Sequence, residues 1–165
     1  MELIIVRHAI AFERDTHRWP DDEDRPLSAR GMARARKAAL GLKGIMQRPT
    51  RVLTSPLLRA RQTAAILTQV AGWPRAIACP QLMPGTPPRE LLTLIGRGRD
   101  ERLAVIGHEP GLGHLASVCL PGSASTAALS FRKMGAALLE FKDAPRAGRG
   151  ELVWFLPPRV LRAAR

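Results

Sequence analysis

Leu3–Ile4–Ile5–Val6 is a run of four apolar residues, three of them β-branched, with no polar alternation, and it ends in Arg7–His8. Such a run reads as a strand buried on both faces, the kind found in a largely parallel sheet covered by helices. A second run, Leu103–Ala104–Val105–Ile106, ends in Gly107–His108 and continues as Glu109–Pro110–Gly111. In open α/β sheets, ligands bind outside the carboxyl ends of the strands. Arg7–His8 therefore reads as the floor of an active site, with His108 arriving at an equivalent strand exit.

The rest of the chain supplies the alternating elements this architecture needs. Ala9 to Pro26 is a polar loop without structure of its own, long enough to be functional and placed over or beside the pocket because it leaves from His8. Ser28 reads as an N-cap, and the apolar spacing of Met32, Ala35, Ala39, Leu42 and Met46 predicts a helix from Ala29 to about Met46. Arg51–Thr54 reads as a short strand. Ser55–Pro56 reads as the N-cap and first residue of a helix that runs to Ala71 and stops at Gly72. A weak strand at Ala76–Cys79, a helix at about Arg89–Ile95 and a helix at Gly111–Leu120 follow. Segments Ala127–Arg132 and Ala136–Phe141 around Lys133–Met134–Gly135 read as a hairpin. Leu152–Leu156 reads as a last strand. This order predicts a three-layer α/β/α sandwich with a mostly parallel central sheet and an antiparallel edge. One domain over residues 1–158 accounts for it, with 159–165 a basic and peripheral C-terminal tail.

The chain has 165 residues, 45% of them hydrophobic, which suffices for one core. Its net charge is +12, and of its 26 basic residues only Lys37, Lys43, Lys133 and Lys142 are not Arg. A polyanion partner is one reading of that charge, and an arginine-rich composition is the simpler one. No recognition-helix pattern or aromatic-rich strand accompanies it, so no specific nucleic-acid partner is expected. Cys79 and Cys119 lie apart from any CxxC spacing and read as buried thiols. No signal sequence or membrane-length apolar run is visible, so a cytoplasmic location and no membrane partner are expected.

The residues with chemistry at strand exits are Arg7, His8, Arg59 and His108. Two guanidinium forks match the oxygens of a phosphoryl group. A histidine between them can attack phosphorus, and the second can donate to a phosphoryl oxygen. No cofactor is needed for this. A zinc site built from His8, His108 and an acid lacks a close ligand pair. His17 reads as solvated, and His114 as packed or on the surface. Neither GxGxxG nor GxxxxGK[ST] is present, so the nucleotide-binding folds lack their fingerprints.

Three stretches in this order, Arg7–His8, Thr54–Ser55–Pro56–Leu57–Leu58–Arg59–Ala60–Arg61–Gln62–Thr63–Ala64 and Val105–Ile106–Gly107–His108–Glu109–Pro110, resemble the histidine phosphatase superfamily. So does Asp24–Arg25–Pro26–Leu27–Ser28–Ala29–Arg30–Gly31. The short length is similar to its SixA-type branch of phosphohistidine phosphatases. Ala9 stands where the superfamily usually has Gly, and Glu109 where Asn is common in that branch. The resemblance implies a phosphoglycerate mutase-like fold and metal-independent hydrolysis. It makes His8 the nucleophile that becomes phosphorylated, and Arg7, Arg59 and His108 the phosphate pocket. The implied substrate is phosphohistidine on a protein, a phosphotransfer protein being one candidate; the oligomeric state stays open, a monomer being one option. The general acid stays open among Glu13, Asp15, Asp21, Asp24, Glu90 and Glu109. A phosphatase for a small phosphorylated metabolite and a non-catalytic phosphate- or polyanion-binding protein are the alternatives.

Overall fold

The computed structural model describes residues 1–122 and 129–164. Six strands form one sheet: β1 (Glu2–Arg7), β2 (Arg51–Thr54), β3 (Ile77–Ala78), β4 (Arg102–Gly107), β5 (Ala136–Glu140) and β6 (Glu151–Leu156). Their order is β3-β2-β4-β1-β5-β6, with β1 to β4 mutually parallel and β5 antiparallel to both β1 and β6. The two histidine-delivering strands sit side by side in the middle. Both are central, which is why neither shows polar alternation.

Alternation of side chains across the sheet divides the core in two. Ile4 and Val6 face α1 (Ala29–Ile45) and α2 (Leu58–Ala71), while Leu3 and Ile5 face α3 (Pro88–Gly96) and α4 (Gly111–Cys119). The protein is a three-layer α/β/α sandwich of the phosphoglycerate mutase-like kind. Ser28 caps α1, its Oγ accepting from the Gly31 amide at 3.0 Å. Gly72 ends α2 in the left-handed conformation at φ 71°, as the sequence predicts. Cys79 and Cys119 are buried free thiols. Among the described residues no helix is long and apolar enough to cross a membrane.

Four expectations are corrected. The segment from Pro157 is not peripheral: Pro158–Ala163 forms α5, and its Leu161 is fully buried against α1. A Cβ on Gly41 would lie 1.8 Å from the Leu161 carbonyl oxygen, so that glycine lets the two backbones touch. An arginine-rich pattern of six residues hides a single buried leucine.

The hairpin forms between β5 and β6 and not across Lys133–Gly135. Leu129–Arg132 is not a strand, and Ala127 and Ala128 lie outside the described residues. The turn that resembles a hairpin tip is tied instead to β1, with Met134 donating to the Arg7 and His8 carbonyls at 3.1 and 3.2 Å. The loop from Ala9 to Pro26 has structure of its own. Ala11 bridges Leu27, a 3-10 turn spans Asp22–Asp24, and the Phe12 and Trp19 rings stack at 5.2 Å beneath the Arg18 guanidinium. Finally, Ser55 does not cap α2, which begins two residues after Pro56 without a side-chain cap.

Candidate active site

Sheet register brings the chemistry together. Arg7 pairs with Gly107, so His8 and His108 are the next residues out on neighbouring parallel strands. Their rings lie 4.9 Å apart, centroid to centroid, and both side chains are buried. On the other flank of β4, Thr54 pairs with Ile106, and Ser55 follows level with Gly107, one residue before His108. Applied to β2, the strand-exit rule that finds His8 and His108 also finds Ser55.

Each histidine is held in one tautomer. His8 Nδ1 lies 2.7 Å from the Ala9 carbonyl oxygen. A carbonyl only accepts, so Nδ1 carries the proton and Nε2 keeps its lone pair. Burial above all, then the charge of His108 and the nearby Arg59 and Arg7, pushes the His8 pKa down to about 3, against the pull of the Ala9 carbonyl. His8 is thus a neutral imidazole whose Nε2 lone pair is unprotonated and free to attack.

His108 Nε2 lies 2.9 Å from Ser55 Oγ, which also accepts from the Leu57 amide at 3.4 Å. Ser55 is fully buried and its hydroxyl has no other acceptor among the described residues, so it gives its own proton to Nε2, and His108 Nδ1 becomes the N–H donor. Burial, then Arg59 and Arg7, lowers His108 to about 3 as well. That Nδ1–H is buried without an acceptor among the described residues, and so are the Nε–H groups of Arg7 and Arg59. Three such donors beside a neutral imidazole match a tetrahedral oxyanion.

The arginines are fixed from behind. Arg7 donates to the Phe131 carbonyl at 2.6 Å. Arg59, 4% exposed, donates to the Asp22 carbonyl at 2.8 Å and pairs with the Asp22 carboxylate at 3.1 Å. Burial alone would raise Asp22, but the hydrogen bond from Arg25 and the charges of Arg59 and Arg25 hold it below the ordinary carboxylate value. Thr63 joins α2 to the chain leaving β1, accepting from the Ala9 amide at 3.0 Å and donating to the Arg59 carbonyl at 2.7 Å. Lys133 belongs to the same field: burial first, then Arg7 and Arg25, lowers its pKa.

The carboxylates are distributed differently from the sequence expectation. Glu109 accepts from the Phe131 amide at 2.5 Å and the Gly113 amide at 3.3 Å, so it organises the backbone beside Arg7. Asp15 accepts from the His17 and Arg18 amides in the loop, and Asp21 accepts from the Glu23 amide. Glu13, Asp24 and Glu90 are exposed, as are His17 and His114. Asp22, the carboxylate that does reach the pocket, stands in the acidic loop without any local signal to single it out. Its partner Arg59 is 37 residues away. No group of three His, Cys, Asp or Glu among the described residues could hold a metal ion.

Residues 3–83 match the model of the histidine phosphatase superfamily, branch 1. An uncharacterized protein of Picosynechococcus sp. is 38% identical over 123 residues, 70% of this chain and 71% of that one. The chain belongs to the histidine phosphatase superfamily. Among solved structures, the protein histidine phosphatase SixA complexed with tungstate superposes with a TM-score of 0.81 at 29% identity, over 98% of this chain and 99% of that one. A putative phosphohistidine phosphatase SixA from Agrobacterium tumefaciens shares the fold, with a TM-score of 0.79 at 23% identity over 95% and 97% of the two chains. For this superfamily member, the matched region carries Arg7, His8 and Arg59, and the fold adds His108.

The wiring of the site has consequences for rate and for pH dependence. Ser55→Ala leaves His108 free to flip tautomer, so kcat is expected to fall by about one to two orders of magnitude with KM little changed. Steady-state kinetics with Ser55→Thr as the rescue variant measures this. The pH dependence comes from the two buried imidazoles. The unfolded chain protonates both histidines near 6.5, whereas the folded chain resists until about 3. Stability is therefore lost as pH falls through that window and is unaffected by these groups above it. Urea midpoints of wild type and His8→Ala at pH 7.5, 6, 5 and 4 test this. The variant's stability should fall less steeply, by about 1.4 kcal/mol per pH unit within the window.

Proposed function

We propose that this protein removes the phosphoryl group from phosphohistidine on a protein, by way of phosphohistidine on its own His8. His8 Nε2 attacks phosphorus as the substrate N–P bond breaks. The leaving ring, protonated on its distal nitrogen, departs as neutral imidazole. Arg7, Arg59 and His108 Nδ1–H hold the equatorial oxygens while charge redistributes. Water then attacks phosphorus, and His8 leaves as the neutral imidazole it was, its proton staying on Nδ1 and donated to the Ala9 carbonyl throughout. The protons of the attacking water leave with inorganic phosphate or pass to solvent.

The observation that carries this reading is the fate of the carboxylates. An alcohol or sugar phosphate leaves as an alkoxide and demands an acid, whereas an imidazole does not. The two carboxylates nearest the phosphate donors are both engaged, Glu109 with backbone amides and Asp22 with Arg59 and Arg25. The likeness to SixA along nearly the whole chain supports the same substrate class. Tungstate, the ligand of that relative, is a tetrahedral oxyanion like phosphate.

Hydrolysis of a phosphohistidine peptide, a phosphoserine peptide and glycerol phosphate tests the reading. The phosphohistidine peptide is expected to exceed both esters in kcat/KM by about three orders of magnitude or more. Comparable turnover of an alkyl ester would instead identify a metabolite phosphatase with a working general acid.

A further inference from the structure

Behind the His8 backbone, on the β5–β6 side of the catalytic pocket, lies a second cleft of about 480 Å³. Its floor is the chain leaving β1 at Ala9 and Ile10, together with Met134. Arg34 lines it from α1, Arg132 and Lys133 from the turn before β5, and Arg159 and Arg162 from α5. No carboxylate lines it, and among the described residues none of the five forms an ion pair.

Five cations around one concavity repel one another, and the carboxylate that acts on one of them, Glu13 on Lys133, stands outside the lining and forms no ion pair with it. An arginine-rich composition explains the abundance of Arg but not the exclusion of acids from one cleft. Six of the chain's acidic residues are gathered instead between Glu13 and Asp24.

The position of the cleft decides the kind of anion. Ala9 follows β1, Pro157 follows β6, and Met134 precedes the antiparallel β5, so all three stand at the carboxyl edge of the sheet. The catalytic pocket opens on that same edge. His8 is only 6% exposed, so a phosphorylated side chain that reaches it comes from a surface lying across this edge. That surface also covers the neighbouring cleft. A small metabolite held at His8 would not reach it.

We propose that the cleft formed by Arg34, Arg132, Lys133, Arg159 and Arg162 docks an acidic segment of the phosphorylated protein substrate, beside the phosphorylated side chain. For its substrate this rests on the phosphohistidine reading, but the binding of acidic chain does not depend on turnover.

The test uses free phosphohistidine, a phosphohistidine peptide flanked by glutamates and the same peptide flanked by glutamines. At low ionic strength the glutamate peptide is expected to have a kcat/KM at least about tenfold above its glutamine counterpart, through KM, and the gap closes as salt rises. Arg132 and Arg159 are exposed, so the double variant R132E/R159E is expected to fold. It should abolish the gap while turnover of free phosphohistidine stays unchanged. Fluorescence anisotropy of the unphosphorylated peptides should follow the same order.

Equal kcat/KM and equal binding of the two peptides by wild type would overturn the docking cleft and leave the phosphatase reading intact. Charge-dependent binding without turnover of any phosphohistidine substrate would do the reverse. A short DNA duplex that binds wild type and not R132E/R159E, with no discrimination between the peptides, would give the cleft to nucleic acid and also overturn the proposal.

Discussion

His8→Ala is expected to lower kcat/KM on a phosphohistidine peptide by on the order of 10⁴ to 10⁶, the scale on which removal of a covalent nucleophile acts. The ground for so large an effect is that no neighbouring group can substitute. His108, 4.9 Å away, holds its Nε2 against Ser55 and carries its proton on a buried Nδ1, so it offers no lone pair to phosphorus. Ser55 gives its proton to His108 and is fully buried. The variant should fold, because removing His8 deletes a group that burial has already pushed far from its ordinary protonation range. Phosphate affinity should survive in His8→Ala, since the three donors remain. Residual activity within tenfold of wild type would mean that a different group attacks phosphorus.

Arg59→Ala is expected to cost about three orders of magnitude in kcat/KM, with no loss of thermal stability. Arg59 contributes a planar fork whose Nε–H is buried without an acceptor among the described residues while its outer nitrogens hold Asp22. Burying that guanidinium is costly: desolvation dominates its lowered pKa, outweighing the help from Asp22. Removing it relieves that cost, and Asp22 keeps Arg25 at 2.7 Å and a side chain 29% exposed to water. On this reading the buried guanidinium is expected to cost stability in exchange for phosphate binding. Arg59→Lys should rescue little, because an ammonium cannot reach Asp22 and the phosphoryl oxygens with one rigid fork. Thermal melts beside steady-state kinetics separate the two effects. A variant that loses stability in step with activity would make Arg59 a structural residue only.

Much of the site is legible in the chain because its residues lie where backbone geometry alone dictates position. A buried strand must end somewhere, and the residue after its last pair stands on the sheet's carboxyl edge. Arg7, His8 and His108 are found that way, and Arg59 is found from the first turn after β2. The partners are not legible, because they are chosen by tertiary approach. Nothing local separates Asp22 from Asp21, Glu23 or Asp24, yet only Asp22 meets Arg59. Glu109 looks available in the sequence and is consumed by amides of Phe131 and Gly113, the former 22 residues downstream. Ser55–Pro56 carries a good helix-opening pattern, yet α2 begins at Leu58, and the Ser55 hydroxyl is bonded to His108 on the neighbouring strand exit. The same holds for the fold's second half. Lys133–Gly135 has the composition of a hairpin tip, but the Met134 amide finds the carbonyls of β1, and β5 takes β6 as its antiparallel neighbour instead. Leu161 is one apolar side chain among arginines and still closes the core over α1.

The most direct test of the covalent route is to mix the protein with excess phosphohistidine peptide, quench within milliseconds in alkali and map the phosphate by mass spectrometry and ³¹P NMR. The expected result is acid-labile, alkali-stable phosphate on His8 alone, bonded at Nε2, appearing no later than the first turnover and absent from His8→Ala. Phosphate found on another residue, or full turnover with no phosphoenzyme formed at any quench time, would contradict it.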